Sequence, residues 1–177
     1  MTDTQKKMVT AVFRDAIKGQ CAYDGLLHRG YASKGINVLM SDTTRSTYFP
    51  HRPDEDKIEA TNFAAEGMGV GGAIGTAVGA TLAAIAAMGT SLLIPQLTLV
   101  IAGPLAAAFA GAGAGAVTGG AIGALVGLGI PEPSARAYQE ALRDGGVILG
   151  VVPKDDGDVK HLKQYFEGMD GESICYC

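Results

Sequence analysis

The sequence predicts an α+β fold: a ferredoxin-like four-stranded sheet with helices on one face, interrupted by a long glycine-zipper helical hairpin. Three observations carry this expectation. Short strand-forming runs alternate with helical stretches at both ends of the chain. All charge is confined to those ends, since no Lys, Arg, Asp or Glu occurs between Glu66 and Glu132. In the uncharged middle, glycine recurs at every fourth residue.

The first end begins with the apolar run Val9 to Phe13, a strand. Asp15 then caps a helix carrying Ala16, Ile17, Ala22, Leu26 and Leu27, which Gly30 ends. Ile36 to Met40 is a second strand, closed by Ser41-Asp42 and the threonines after it. At the other end, Pro131 and Pro133 start a helix bearing Ala135, Ala137, Tyr138, Ala141 and Leu142, and the Asp144-Gly145-Gly146 turn stops it. Val147 to Val152 is a strand. Asp155 and Asp156 precede a helix with Val159, Leu162, Tyr165 and Phe166 on one side, and Ser173 to Cys177 forms the last short strand. Each end is thus a β, α, β unit too small to be stable alone. Residues 1–50 and 131–177 are expected to form one discontinuous domain.

Residues 51–66 read as a polar linker and the start of a helix, and residues 67–130 as the apolar hairpin. Gly67, Gly71, Gly75 and Gly79 form one four-residue series, and Gly111, Gly115, Gly119, Gly123 and Gly127 another. On a helix this spacing keeps the glycines near one face, where a second backbone can approach. Each glycine costs a helix about 0.8–1 kcal/mol relative to alanine, so nine of them imply a compensating contact. Val70, Ile74, Val78, Leu82 and Ile85 between them argue against a flexible linker, whose composition is polar. Gly89, Pro95, Gly103 and Pro104 place the bend near 89–104, with Leu92, Leu93, Ile94, Leu97 and Leu99 as an apolar tip. Each run is long enough to cross a bilayer. The apolar tip fits a re-entrant membrane hairpin, or a soluble homo-oligomer whose hairpins bury their tips together. The sequence leaves both open.

Other classes find less support. A formal charge of −4 argues against nucleic acid as a partner. The polar start MTDTQKK is unlike a secretory signal, which places the outer domain in the cytoplasm, free or at the membrane surface. The GxGxxG match at Gly67 to Gly72 has no following acidic residue for a ribose and reflects glycine density. No carboxylate pair, nucleophile elbow or phosphate loop points to catalysis, so no enzyme and no cofactor is expected. Cys175 and Cys177 stand i, i+2 on a strand, too few ligands for zinc, although a redox or small-ligand sensor would use them. Cys21 reads as a core residue on a helix face.

Residues 123–152, GALVGLGIPEPSARAYQEALRDGGVILGVV, resemble the segment that joins the glycine zipper to the second half of bacterial proteins with the general stress protein 17M-like domain. FRDAIKG and LLHRGYASKGINVLMSD are similar to that family's opening unit. The resemblance implies a split α+β domain around a glycine-rich insertion and a link with bacterial stress response, and it carries over no catalytic residues. The linker PHRPDEDK and the CYC ending depart from the pattern. The resulting expectation is a non-catalytic stress-associated protein that self-assembles and meets a lipid bilayer through its hairpin, or assembles in solution.

Overall fold

The structure, a computed structural model, describes residues 7–49, 90–94, 97–104, 106, 122–123, 125–127 and 129–177. The strands are β1 (Val9–Phe13), β2 (Ile36–Ser41), β3 (Thr90–Ile94), β4 (Leu97–Ala102), β5 (Val147–Val151) and β6 (Glu172–Tyr176). The helices are α1 (Ala16–His28), α2 (Asp42–Tyr48), α3 (Glu132–Arg143) and α4 (Asp156–Gly168). The strands form one antiparallel sheet in the order β3-β4-β2-β5-β1-β6. The fold is α+β.

The sheet has six strands, not four. The two additional strands come from the segment expected to bend between helices. Leu92, Leu93 and Ile94 lie in β3, and Leu97 and Leu99 in β4, so the apolar tip is a β-hairpin added to the edge at β2. A run of apolar residues interrupted by one proline suits two short strands as well as a bend, and β2 offers them a partner. Leu99 is buried against the sheet core and is not an exposed anchor.

The helices also cover both faces, not one. On the first face α1 and α4 pack on Val9, Ala11, Phe13, Met40, Val147 and Leu149, with Tyr23, Leu26, Leu162 and Phe166 completing the cluster. On the opposite face Ala135, Tyr138, Ala141 and Leu142 of α3 pack on Val12, Leu39 and Ile148, joined by Leu99, Ile101, Leu125 and Ile130. Every residue of β1, β2 and β5 is buried. Strands that are apolar at consecutive positions need cover on both sides, as these sequences (VTAVF, INVLMS, VILGV) do.

Local chemistry sets the helix ends. Asp15 accepts from the Ile17 amide, and Asp155 from the Asp158 amide. Ser41 accepts from the Thr44 amide at 3.0 Å and starts α2, where the sequence showed only the end of a strand. Two glycines let α1 lie close to its neighbours. A Cβ on Gly19 would come within 3.1 Å of Val147 Cβ, and one on Gly25 would meet the Tyr165 hydroxyl of α4.

The turn after α1 is clamped to the start of α4. Asp158 accepts from the Tyr31 hydroxyl and from the Lys154 amide at 2.8 Å. The Lys154 ammonium donates to the Arg29 carbonyl at 3.0 Å and stands 4.5 Å from the Tyr31 ring centre, while the Arg29 guanidinium lies 4.2 Å from that of Tyr165. Burial disfavours the Asp158 charge, but the Lys154 amide, the Tyr31 hydroxyl and the charges of Lys154 and His161 outweigh it and hold the carboxyl below its ordinary value. A depressed folded pKa contributes stability above the unfolded value, about 3.9, that is lost as pH falls through the folded one. Asp158→Asn is therefore expected to lower unfolding free energy by about 1 kcal/mol at pH 7 and to flatten the acid limb below about pH 4, read as urea midpoints across pH. An unchanged midpoint at pH 7 would show that the clamp contributes nothing.

Candidate functional site

The register of β3 and β4 sets which chain positions meet at the open end of the hairpin. Thr90 pairs with Ile101 at one end of the hairpin, and Ile94 with Leu97 at the other. Thr90, where the chain enters β3, and Ile101, next to its exit from β4, are therefore cross-strand neighbours, within about 5.5 Å between paired backbones. Gly103 makes the exit. Its φ is +94°, and a Cβ there would lie 2.5 Å from the Ile36 carbonyl oxygen and 3.0 Å from Asn37 Cα. Only glycine combines that left-handed turn with such close backbone approach.

Of the zipper positions, Gly67, Gly71, Gly75, Gly79, Gly111, Gly115 and Gly119 lie outside the described residues, as does the linker. Gly123 and Gly127 are helical and lie shortly before α3. At Gly127 a Cβ would meet nothing within 4 Å among the described residues. Leu125 beside it turns into the α3 face of the core. Among the described residues no helix is long and apolar enough to cross a membrane.

The cysteines fall in two places. Cys21 is exposed on α1, not a core residue: Ala22, Tyr23 and Leu26 take the buried face. Cys175 and Cys177 are half-buried at the end of β6. Cys175 stands opposite Thr10, and Cys177 exchanges both backbone hydrogen bonds with Met8, at 2.6 and 3.0 Å. Both thiols thereby join the α3 face. Tyr138 of α3 reaches down to this patch and donates to the Ser173 carbonyl at 2.9 Å. With its single proton so placed, its oxygen accepts from the Thr10 hydroxyl at 2.7 Å. Burial raises the Tyr138 phenol well above its ordinary range. The Cys177 thiol is pushed up to about 12, first by burial and then by its hydrogen bond and charge interaction with Cys175, with Thr10 opposing. In the resting protein this thiol is a protonated, weak nucleophile.

A bulge in β6 shapes the patch. Thr10 pairs with Cys175 and Val12 with Glu172, so β6 carries one residue more than β1 across this interval, and Ser173 takes φ +50°. The tyrosine hydroxyl over the bulge and the methionine across from Cys177 were not visible in the sequence. An Ala-Tyr-Ala helix face reads as core, and nothing pairs residue 8 with residue 177 before the sheet is known. Among the described residues no group of three or more His, Cys, Asp or Glu is placed to hold a metal ion.

No protein family, curated protein or solved structure matches the chain. The hairpin exit offers a direct check on the site geometry. Gly103→Ala is expected to destabilise the protein by about 2–3 kcal/mol in urea denaturation. Gly35→Ala, where a Cβ meets nothing within 4 Å, should stay within about 0.5 kcal/mol of the parent.

Proposed function

We propose that this is a non-catalytic, stress-associated assembly protein whose α+β domain presents two glycine runs for close helix packing, against each other and against further copies. The observation that supports this reading is the Thr90 to Ile101 register, which sets the chain leading from the first run beside the chain leading to the second at one edge of the sheet. Helices built on the two runs would pair their glycine faces, a contact that four-residue spacing suits. The order β2-β5-β1-β6 among the outer strands, with α1 and α4 as crossovers, supports a ferredoxin-like core that carries the hairpin as an edge extension. Resemblance of residues 123–152 to the general stress protein 17M-like family supports the bacterial stress setting.

Between the two environments, the β-hairpin favours assembly in solution. A re-entrant membrane hairpin needs the segment from Leu92 to Leu99 as its apolar tip, and that segment is paired into the sheet, with Leu99 in the core. The bilayer reading then rests on the glycine runs alone, and glycine and alanine are weak drivers of insertion.

Size and vesicle flotation of the full chain test both points. The parent is expected to run as a homo-oligomer without detergent and to stay at the bottom of a lipid-vesicle gradient. Gly75→Leu combined with Gly119→Leu should weaken self-association about a hundredfold, since each leucine overpacks a close contact by about 1–3 kcal/mol. The circular dichroism of the sheet domain should be retained. Unchanged particle size would overturn the zipper, and flotation of the parent would return the protein to the bilayer.

A further inference from the structure

Strand β6 forms the sheet edge opposite the hairpin. Its pairing with β1 fixes which backbone groups point outward. Cys177 exchanges both backbone bonds with Met8, and hydrogen-bonded pairs alternate along an antiparallel ladder, so Cys175 does the same with Thr10. The peptides between them therefore turn the Tyr176 N–H, the Tyr176 carbonyl and the Ile174 carbonyl away from β1. The Ile174 N–H leaves this row, because the Ser173 carbonyl of the same peptide tips toward the α3 face to accept from Tyr138. Among the described residues no strand lies beyond β6 to take the outward groups.

From Ser173 to Cys177 the edge carries neither the charge nor the proline that keeps sheet edges apart, and the bulge at Ser173 confines any pairing to Ile174 and beyond. Ile174 and Tyr176 lie half-buried on the α1 and α4 face, and Cys175 on the α3 face. The outward row is complementary to itself. A twofold axis through Cys175, perpendicular to the sheet, sets Tyr176 opposite Ile174 of a second copy, so that each Tyr176 N–H donates to the other chain's Ile174 carbonyl. The side chains of these pairs, aromatic against β-branched, suit cross-strand neighbours. Charge obeys the same symmetry. At the start of β6, Asp144, Asp170 and Glu172 share Arg14 and Lys18 as their ion-pair partners among the described residues, which leaves that end negative. At the other end the Lys7 ammonium stands 5.7 Å from the Tyr176 ring centre. Antiparallel pairing sets the negative end of each copy beside the Lys7 end of the other.

We propose that β6 is an interface with a second copy of this chain, the two β6 strands pairing antiparallel about Cys175 so that the sheet continues across a twofold axis. This contact lies at the other edge from the hairpin and does not depend on the glycine packing proposed above. Cys175 reports its register. It falls at a non-hydrogen-bonded position, where facing Cα atoms stand about 4.5 Å apart, inside the range of about 4.4–6.8 Å that a disulfide spans. Cys177 is displaced from Cys177 of the second copy by four residues, about 13 Å along the strands. Cys21 lies on α1, away from the edge.

The test is disulfide trapping in the reduced full-length chain with diamide, which takes two electrons and two protons from facing thiols as the S–S bond forms and is itself reduced to the hydrazine. With Cys175 as the sole cysteine (Cys21→Ser with Cys177→Ser) a covalent dimer is expected. With Cys177 or Cys21 as the sole cysteine, trapping should be slower by about tenfold or more. Tyr176→Pro removes an outward donor and no bond to β1, and Ile174→Lys places a charge on the edge; each should slow Cys175 trapping about tenfold or more with circular dichroism retained. A second measurement uses the Gly75→Leu, Gly119→Leu chain. Sedimentation should find a dimer, and its Tyr176 amide should exchange more slowly as protein concentration rises. Trapping through Cys177 or Cys21 at the Cys175 rate, Cys175 trapping that survives both edge variants, or a monomeric glycine variant at concentrations where the parent assembles would overturn the β6 contact. A Cys175 dimer in a chain whose particle size ignores the glycine substitutions would uphold the β6 contact and remove the glycine packing alone.

Discussion

Strand β5 lies between β1 and β2, and this double pairing is the constraint on which the architecture depends. Val147 to Val151 is hydrogen-bonded to Val9–Phe13 on one side and to Ile36–Met40 on the other, so Gly150 faces both Thr10 and Asn37. The amino-terminal unit cannot complete its own sheet, because its two strands are held apart by the width of a strand that arrives more than a hundred residues later. The chain entropy lost in closing so long a connection grows only as the logarithm of its length, so a large insertion is tolerated there. Both ends of that insertion are fixed to the same body by the pairing of β5.

A strand buried on both faces leaves no room for an unsatisfied polar group, and the polar residues in the central strands are accordingly paired. Thr10 bonds to Tyr138, and Asn37 donates to the Gly150 carbonyl at 3.3 Å. Cys175, Thr10, Gly150 and Asn37 form one cross-strand row on the α3 face. Gly150 is the low point of the row: a Cβ there would come within 3.2 Å of Thr10 Cγ2 and 3.3 Å of Met8 Sδ. The missing side chain lets Met8 lie across the sheet, with its sulfur 4.0 Å from the Asn37 amide nitrogen.

Much of this was legible in the sequence, and the rest failed for identifiable reasons. The strands and helices of the two ends follow from apolar periodicity and from Asp15, Asp155 and Pro131 at the helix starts. The second covered face was implicit in VTAVF and VILGV, whose unbroken apolar character asks for two covers, but nothing local says that α3 crosses to the other side from α1 and α4. The hairpin from Thr90 to Ala102 was misread because its strands lie among helix-like glycine runs, and its hydropathy fits a helical bend equally well until β2 supplies an edge. Ser41 resembled a strand terminator because a cap and a turn use the same residue type. The backbone pairing of residues 8 and 177 at the sheet edge comes only from the three-dimensional register.

The described glycines also bear on what the regular ones do. Gly25 admits the Tyr165 hydroxyl and Gly19 admits Val147, so where this chain places glycine inside α1 another element occupies the space. Neither belongs to a four-residue series, because each serves a single contact. Gly127 belongs to such a series and has open space where a Cβ would project, as far as the described residues reach. A helix gives up about 0.8–1 kcal/mol for each glycine. One such loss can be incidental, whereas a loss repeated at regular spacing along one helix face needs a partner that runs the length of the face. In the proposed assembly that partner is the other glycine run or a second copy.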